Sequence, residues 1–489
     1  MAVVENADVA PVTASDAPTH RPSGGVKFAY SLGQLVESGY LAVNGFVFFY
    51  YTAVLGLSGS LVGAAVAISM CLDAAADPLI GSWSDSVRSR FGRRLPVMLV
   101  GAPLTAITMG LLFAPPSGLS PFLMFLWLTL TKMGVRAFAS MFNIPYFALG
   151  GEMSDDYAER SKIVAQRLLA GIVVTVVINA LAFSHFFKGE GGLQSPDRYP
   201  DFGWSIAVLV LAGALISCAG VWRYASALPQ PPAQHGSMLR RLPRDIAEIF
   251  RNRSFRILFV SMLLFTSAAG VSAALANHAY VFVWKLKTET IQFLSYSGLL
   301  GITIGVPLTT MLLKRVEKKT AVLIGFGLVI IAWTVLPCLR ASGLFRPEGA
   351  EALSWLVPNA FIVGLGSGLI FIAYPSMMAD AAEEHEHARG VRREGLYFAG
   401  LGFAGKAAGG VGTLVAGLAL DMLHFPREAG RQLHAAISEP ILSSLVLAWA
   451  PLPALLGVIG LLIIFPYAIT RDRHAEILAD LRARRAGSQ

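Results

Sequence analysis

Charged residues are scarce in this chain of 489 amino acids: only 14% are Asp, Glu, Lys or Arg, and 55% are hydrophobic. Soluble domains carry about 25% charged residues. A soluble chain of this length divides into domains joined by polar linkers, whereas here one apolar stretch follows another. The net charge of +8 lies in short loops between these stretches, which is typical of membrane topology and not of a nucleic-acid surface.

Cysteine is rarer still. The three cysteines, Cys71, Cys218 and Cys338, lie in or beside apolar stretches without metal-ligand spacing, so we expect packing residues and neither disulfide nor zinc chemistry. The sequence also lacks a nucleophile–base pair and a phosphate loop, and GLGSG at 364–368 has no preceding strand to make a dinucleotide site. We therefore expect neither an enzyme nor a bound cofactor.

Twelve apolar stretches are each long enough to cross the hydrocarbon core of a membrane, which takes about 20 helical residues. They lie at 28–53, 58–83, 95–115, 121–149, 163–186, 204–223, 255–284, 290–313, 319–339, 353–379, 395–423 and 445–469. The sequence thus predicts an all-α membrane protein. The predicted domains are a disordered tail at 1–25, six-helix bundles at 26–223 and 255–470, a connecting loop at 224–254 and a C-terminal tail at 471–489.

Lysine and arginine concentrate in the loops after the even-numbered stretches, while the loops at 56–60 and 115–120 are nearly uncharged. The positive-inside rule then places both termini in the cytoplasm of a multi-pass protein of the cytoplasmic membrane. The two halves also resemble each other, because Arg90-Phe-Gly-Arg-Arg before VMLVG recurs as Arg315-Val-Glu-Lys-Lys before AVLIG. Duplicated six-helix halves are the architecture of major facilitator transporters, which bind substrate between the halves.

Two carboxylates, Asp73 and Asp77, lie within the second apolar stretch. A spacing of four places them on one face of a helix. A buried carboxylate at membrane depth costs about 2.5–3.5 kcal/mol on insertion scales, and two neighbouring carboxylates also repel each other. A sodium ion or a proton relieves both penalties, so the pair predicts a cation site.

Longer motifs resemble one family. DAAADPLIGSWSDSVRSRFGRRLPVMLVG at 73–101, GEMSDDYAERSKIVAQR at 151–167, MMADAAEEHEHARGVRREGLYF at 377–398 and FAGKAAGG at 403–410 resemble the glycoside–pentoside–hexuronide:cation symporters, the melibiose permease group of the major facilitator superfamily. The resemblance implies secondary active symport of a sugar or glycoside with sodium or protons. It implies two six-helix halves, and we expect a monomer in the lipid bilayer.

The resemblance also implies roles for individual residues. Asp73 and Asp77 match the aspartates that bind the coupling cation, and Ser140 matches a hydroxyl that helps to bind sodium. Ala76 replaces a polar residue, so one oxygen ligand is missing and protons are favoured over sodium; no other metal site is expected. Lys406 matches a lysine whose ammonium can pair with the two aspartates and leave when the cation binds, as a coupling device. A fixed structural ion pair is the alternative.

The substrate positions depart from the family pattern. Asn143 replaces an aspartate that recognises sugar hydroxyls, and Phe147 replaces a tryptophan, while Arg167 keeps the family's arginine. The aspartate of the first helix is replaced by Glu37 or Ser38, depending on a one-residue gap. Galactoside recognition is therefore in doubt.

Lys132 and Arg136 form an unusual pair of cations in the fourth stretch, on the face that continues to Asn143. One hypothesis is that they receive an anionic substrate such as a hexuronide. The other is that they pair with Glu37. Because the same fold houses lysophospholipid symporters, a lysophospholipid-like or other amphiphilic anion is the alternative substrate.

Four arginines and one aspartate resemble the family's cytoplasmic gate, which is closed in the outward-facing state. These residues are Asp85, Arg88, Arg93, Arg94 and Arg392. The alternative is that these residues only determine topology. Asn277, His278 and Tyr296 are polar residues in apolar stretches that either line a cavity or pack.

Overall fold

A computed structural model describes residues 22–89, 91–154, 156–227, 247–391, 393–427, 429–430 and 437–487. Every regular element in these ranges is helical. Ten of the described helices are long and apolar enough to cross a membrane. The predicted all-α membrane fold is therefore confirmed.

The first half contains six helices, two of which end in a π-helical turn. They are α1 (Gly24–Leu32 and Leu35–Phe49, then the turn Tyr50–Val54), α2 (Gly59–Ser86), α3 (Leu95–Phe113), α4 (Pro121–Glu152), α5 (Tyr157–Leu181, then the turn Ala182–Phe186) and α6 (Arg198–Ala227). Helices α1 and α2 are not among the ten apolar spans. Helix α1 contains Glu37 and Asn44, whose polar side chains lower the hydropathy of its span. In α2 the described apolar stretch is the shorter Gly59–Asp73.

The second half repeats this plan and adds a terminal helix. It contains α7 (Arg253–His278, then the π-helical turn Ala279–Val283), α8 (Thr288–Leu312), α9 (Lys318–Ala341), α10 (Gly349–Arg389), α11 (Glu394–Met422), α12 (Glu439–Trp449 and Pro451–Ile464) and α13 (Arg471–Gly487). Helix α10 extends ten residues beyond the predicted end at 379. Most of the predicted tail at 1–25 and loop at 224–254 lies outside the described residues, so these two predictions stay predictions.

The same helix pairs pack in both halves. Helices α2 and α4, α3 and α4, and α3 and α6 are in contact, and so are their counterparts α8 and α10, α9 and α10, and α9 and α12. Between the halves, α2 packs against α11, α1 against α7, and α5 against α8. A substrate site between the halves is therefore bounded by equivalent helices of each half.

The bundle has two ends, which we name by their loops. The basic end holds the loops at 87–94, 153–156 and 313–317, and the far end holds those at 55–58, 114–120 and 284–287. At the far end α2 and α11 meet through glycines: a Cβ on Gly417 would lie 2.0 Å from the carbonyl oxygen of Gly59. The Asp421 carboxylate accepts hydrogen bonds from the backbone N–H groups of Gly59 and Ser60, both at 2.9 Å. The far end is therefore closed between α2 and α11.

We expect Gly417→Leu to hold the far end open, because the added side chain cannot fit against the Gly59 carbonyl. A cysteine placed at the buried position Val62 should then react faster with a hydrophilic maleimide, in a background lacking the native cysteines. Gly402→Leu is the matched control, since a Cβ at Gly402 meets nothing within 4 Å. Equal labelling in the two variants would contradict the prediction.

At the basic end, α13 lies against the extension of α10. The His474 ring contacts the Glu383 carboxylate at 2.5 Å, and Arg485 pairs with Glu386 at 2.6 Å. His474, Glu383 and Asp380 lie close enough to hold a metal ion, but the Lys318 ammonium already contacts both Asp380 carboxylate oxygens at 2.7 Å. We therefore interpret this group as an ion-pair contact between helices.

Candidate functional site

Asp73 is held by three side chains, two from the first half and one from the second. Its Oδ2 atom lies 2.7 Å from Arg136 Nε and 3.2 Å from Lys406 Nζ, and Oδ1 accepts a hydrogen bond from the Ser140 hydroxyl at 3.2 Å. The carboxylate is buried, with 2% of the side chain exposed. Both oxygens are thus occupied, and the two cations beside them, Arg136 and Lys406, belong to the protein itself.

Asp77 lies one helical turn further along α2 and is more accessible. Its Oδ2 atom pairs with the Lys406 ammonium, and 26% of its side chain is exposed. Its Oδ1 atom is buried and has no hydrogen-bond partner among the described residues. Lys406 belongs to α11, so this ion pair also joins the two halves. An unpaired carboxylate oxygen is the natural acceptor for an incoming proton.

Glu37 on α1 faces the same region. Its Oε1 atom lies 3.7 Å from Arg136 Nη1, and its Oε2 atom accepts a hydrogen bond from the Asn143 amide at 2.6 Å. The structure thus brings Arg136 between Glu37 and Asp73, and Asn143 beside Glu37. The predicted pairing with Glu37 occurs for one of the two α4 cations only.

Lys132 is that other cation, and its hydrogen-bonding neighbours are neutral side chains. Its side chain is 1% exposed, its ammonium contacts the Asn44 side-chain oxygen, and it lies 3.5 Å from the Tyr40 hydroxyl. Lys132 and Arg136 both lie over the Tyr40 ring, 5.0 Å from its centroid. None of the described carboxylates forms an ion pair with Lys132.

Tyr40 and Asn44 were missed by the sequence interpretation. They follow Glu37 at intervals of three and four residues, which places all three on one helical face, and that spacing could have identified them. We call six ionisable residues the charge cluster: Glu37, Asp73, Asp77, Lys132, Arg136 and Lys406. Tyr40 and Asn44 orient its cations.

A small cavity lies where α1, α2, α7 and α11 meet. Its volume is about 120 Å³, and its lining includes Asn44 of the first half and Thr413 of the second. Asn277 donates to the Gly45 carbonyl at 2.9 Å, and the His278 ring bonds to the Thr52 hydroxyl at 2.9 Å. Asn277 and His278 therefore join α7 to α1 by packing and hydrogen bonding.

The two other predicted substrate residues, Phe147 and Arg167, contact each other. The Arg167 guanidinium lies 4.5 Å from the centroid of the Phe147 ring, a cation–π contact between α5 and α4. The Nε atom of Arg167 is buried without a hydrogen-bond partner in the described part of the chain.

The predicted gate is described only in part. Arg93 and Arg94 both pair with Glu152 of the first half, at 2.8 and 2.6 Å, and Arg88 is exposed. The Asp85 side chain and Arg392 lie outside the described residues. The gate therefore stays a prediction.

A groove of about 450 Å³ runs between α2 and α4 and reaches Asp73 and Arg136. Its walls include Leu72, Leu79 and Leu130, each about half exposed on the outer surface of the bundle. Apolar side chains exposed on this surface of a membrane protein face lipid. The groove thus leads from lipid to the charge cluster.

These features are those of a transporter: a closed far end, two packed halves and ionisable side chains at their interface. A sequence profile of the family described as MFS/sugar transport protein matches residues 27–471, which is most of the chain. The chain belongs to this family. It is a membrane transport protein and not an enzyme.

The names of three curated relatives of this MFS/sugar transport protein mention different solutes. The isoprimeverose transporter of Lactiplantibacillus pentosus is 24% identical over 81% of this chain and 79% of its own length. The glucuronide carrier protein homolog of Escherichia coli is 24% identical over 94% and 96%. The sodium-dependent lysophosphatidylcholine symporter 1 of Mus musculus is 25% identical over 84% and 79%.

Solved transporters share the fold of this family member. A bacterial homologue of the human lysosomal transporter Spinster superposes with a TM-score of 0.63 at 12% identity, covering 93% of this chain and 97% of that one. Identity this low shows the fold alone. The major facilitator architecture predicted from the duplicated halves is confirmed.

Proposed function

We propose that this transporter carries a glycoside together with a proton by alternating access, with its basic end in the cytoplasm. The observation that carries the proposal is the ion pair between Asp77 and Lys406, which joins the halves and leaves Asp77 Oδ1 unpaired. A proton on Asp77 removes one of the two negative charges that hold Lys406, and leaves only Asp73 beside it. Cation binding then loosens a contact between the halves, as coupled transport requires.

Arg136 favours protons over sodium. Sodium needs several oxygen ligands, but the Arg136 guanidinium already lies against Asp73 Oδ2, and Ser140 donates to Oδ1. Ala76 supplies no oxygen. The intrinsic guanidinium therefore fills the place at which a sodium ion would neutralise Asp73.

We expect Arg136→Gln to create sensitivity to sodium. Breaking a buried ion pair leaves an uncompensated charge that costs about 3–5 kcal/mol, so the variant should be less stable than the wild type. Sodium bound at Asp73 should restore part of the lost stability, so the Tm of the variant should be about 5 °C higher in sodium chloride than in potassium chloride. The Tm of the wild type should be equal in both salts. A sodium-dependent Tm in the wild type would contradict the assignment of protons.

The solute is proposed to be an anionic glycoside. Lys132 is a buried cation without a carboxylate partner in the described part of the chain, and it lies one helical turn from Arg136. A carboxylate on the solute would satisfy it. One relative is named as a homologue of a glucuronide carrier protein, and a glucuronide is an anionic glycoside.

The groove between α2 and α4 favours a second candidate, an amphiphilic anion. Its apolar walls could hold an acyl chain while the headgroup meets the charge cluster. The lysophosphatidylcholine symporter among the relatives supports this candidate. The full enclosure of Lys132 supports the glycoside more strongly, because a phosphate entering along the groove meets Arg136 and Asp73 first.

Uptake into proteoliposomes tests the proposal. The solutes are methyl β-D-glucuronide, methyl β-D-glucoside, isoprimeverose and lysophosphatidylcholine, each under an imposed proton or sodium gradient. We expect glycoside accumulation with the proton gradient only. Accumulation of lysophosphatidylcholine and of none of the glycosides would establish the second candidate and overturn the first.

A further inference from the structure

The small cavity between the halves lies directly beside the charge cluster, on the side toward the far end. On α2, Met70 lines this cavity, and Asp73 follows three residues later toward the basic end. On α11, which runs in the opposite direction, Gly409 lines the cavity and Lys406 lies three residues nearer the basic end. We call this space of about 120 Å³ the interface cavity. It continues the route from the charge cluster toward the far end.

The interface cavity is suited to water. A water molecule takes about 30 Å³ in the liquid, so a cavity of about 120 Å³ holds about four molecules if polar groups bind them. Asn44 of α1 and Thr413 of α11 supply such groups. Asn44 also contacts the Lys132 ammonium, so water in this cavity reaches the edge of the charge cluster. Because chains of water molecules pass protons, a proton symporter has to interrupt this route.

The Met70 side chain lies between the interface cavity and the ion pairs of Lys406. It reaches from α2 to α11, where two glycines leave room for it. A Cβ on Gly409 would lie 3.1 Å from Met70 Cε, and a Cβ on Gly410 would lie 3.5 Å from Met70 Sδ. Asp73 and Lys406 are one helical turn away on the same two helices, on the side toward the basic end. Met70 therefore separates their ion pair from the cavity.

Backbone contacts bound the interface cavity elsewhere. Beside it α7 meets α11, because a Cβ on Gly270 would lie 3.0 Å from the carbonyl oxygen of Gly409. Toward the far end α2 meets α11 again, because a Cβ on Gly63 would lie 2.8 Å from the carbonyl oxygen of Thr413. The cavity is thus bounded by the far-end contacts on one side and by Met70 on the other.

Water reaches the Asp77–Lys406 ion pair from the basic end. The Asp77 side chain is 26% exposed and the Lys406 side chain 34% exposed, although the pair lies between the halves. Because α2 and α11 are in contact at the far end, this exposure faces the basic end. Two barriers in series therefore separate the water at the two ends of the bundle: Met70 and the far-end contacts.

We propose that Met70 is a hydrophobic seal that prevents protons from leaking between Asp77 and the far end through the interface cavity. A thioether is at most a weak hydrogen-bond acceptor and has no proton to pass on. Its unbranched, flexible chain also lets it move aside when α2 and α11 separate. This inference rests on the proposed function, because a proton leak matters only to proton coupling. It deepens that function by naming a positioning residue that keeps the coupling tight.

Proton leak in the absence of solute tests the seal. Purified full-length protein is placed in proteoliposomes that contain potassium and a pH-sensitive dye. Valinomycin then imposes a voltage, negative inside, and the rate of internal acidification is measured. Met70→Ala removes the side chain, Met70→Gln keeps its length but bonds to water, and Met70→Leu keeps an apolar chain. Met124→Ala is the matched control, since Met124 is a half-buried methionine of α4 that does not line the interface cavity.

We expect Met70→Ala and Met70→Gln to leak protons about tenfold faster than the wild type, which corresponds to a barrier lowered by about 1.4 kcal/mol. Met70→Leu and Met124→Ala should leak no faster than the wild type. Wild-type leak in both Met70→Ala and Met70→Gln would overturn the inference, and so would an equal increase in Met124→Ala. If Met70→Ala does not fold, Met70→Gln decides, because it nearly keeps the volume of the methionine.

Failure of the inference differs from failure of the proposed function. Glycoside accumulation under a proton gradient is measured in the same proteoliposomes. If the wild type accumulates glycoside but neither variant leaks, only the inference is overturned. If the wild type accumulates none of the glycosides, both are overturned. The leaking variants should accumulate less solute and yet exchange labelled for unlabelled solute at the wild-type rate, which separates a leak from a lost binding site.

Discussion

Asp77→Asn is expected to abolish uphill accumulation of the solute. An amide cannot take up the proton that Asp77 Oδ1 is placed to accept, so solute flux is no longer tied to proton flux. A difference of one pH unit corresponds to about 1.4 kcal/mol and sustains about tenfold accumulation with one coupled proton. We expect the ratio of internal to external solute to fall from about ten to one.

Exchange of labelled for unlabelled solute should survive in Asp77→Asn, since the binding residues are untouched. Retained exchange would separate loss of coupling from loss of folding. Asp201→Asn, which changes an exposed aspartate of α6, is the matched control and should accumulate solute normally. Unchanged uphill uptake in Asp77→Asn would remove the coupling assignment.

Lys132→Met is expected to have the second-largest effect. It should raise the KM for an anionic solute but not for a neutral one. Removing one partner of a buried charge pair costs about 2–5 kcal/mol, so the KM for methyl β-D-glucuronide should rise by at least about 30-fold. Methyl β-D-glucoside differs by replacing the carboxylate with a hydroxymethyl group. Its KM should stay within about twofold of the wild type, because it brings no charge to Lys132.

Stability distinguishes this role from a structural one. Because the described carboxylates leave Lys132 unpaired, its removal relieves a desolvation penalty, and Tm should be unchanged or higher. Lys162→Met, at an exposed lysine of α5, is the control and should leave both KM values unchanged. A lower Tm, together with an equal rise in the KM for both solutes, would show that Lys132 has a packing role instead.

The parts of the fold that follow from the sequence are local. Hydrophobic length identifies the spans, and a spacing of four places Asp73 and Asp77 on one face, where Lys406 contacts both. Distances between helices are not local. Arg136 lies closer to Asp73 than to Glu37 because of the way α4 packs against α1 and α2. The spacing of residues along α4 alone does not predict that packing.

A cavity of about 240 Å³ in the second half is a stronger example of this limit. Trp333, Asn359 and Trp449 lie on three different helices, and each looks like an ordinary membrane residue in its own segment. They line one cavity only because α9, α10 and α12 pack together. The roles of Ser140, Asn143 and Phe147 likewise stay predictions, because contacts show where these side chains lie and not which solute they bind.

The formal charges of the charge cluster sum to zero: Glu37, Asp73 and Asp77 count three negative charges, and Lys132, Arg136 and Lys406 count three positive ones. Under the proposed proton symport, the empty carrier therefore returns across the membrane without responding to voltage. With a proton and a neutral glycoside aboard, it moves one positive charge, which a membrane voltage favours by about 2.3 kcal/mol per 100 mV if the charge crosses the whole field. With a proton and a glucuronide it moves none. The same carrier would thus be electrogenic for one class of solute and electroneutral for the other.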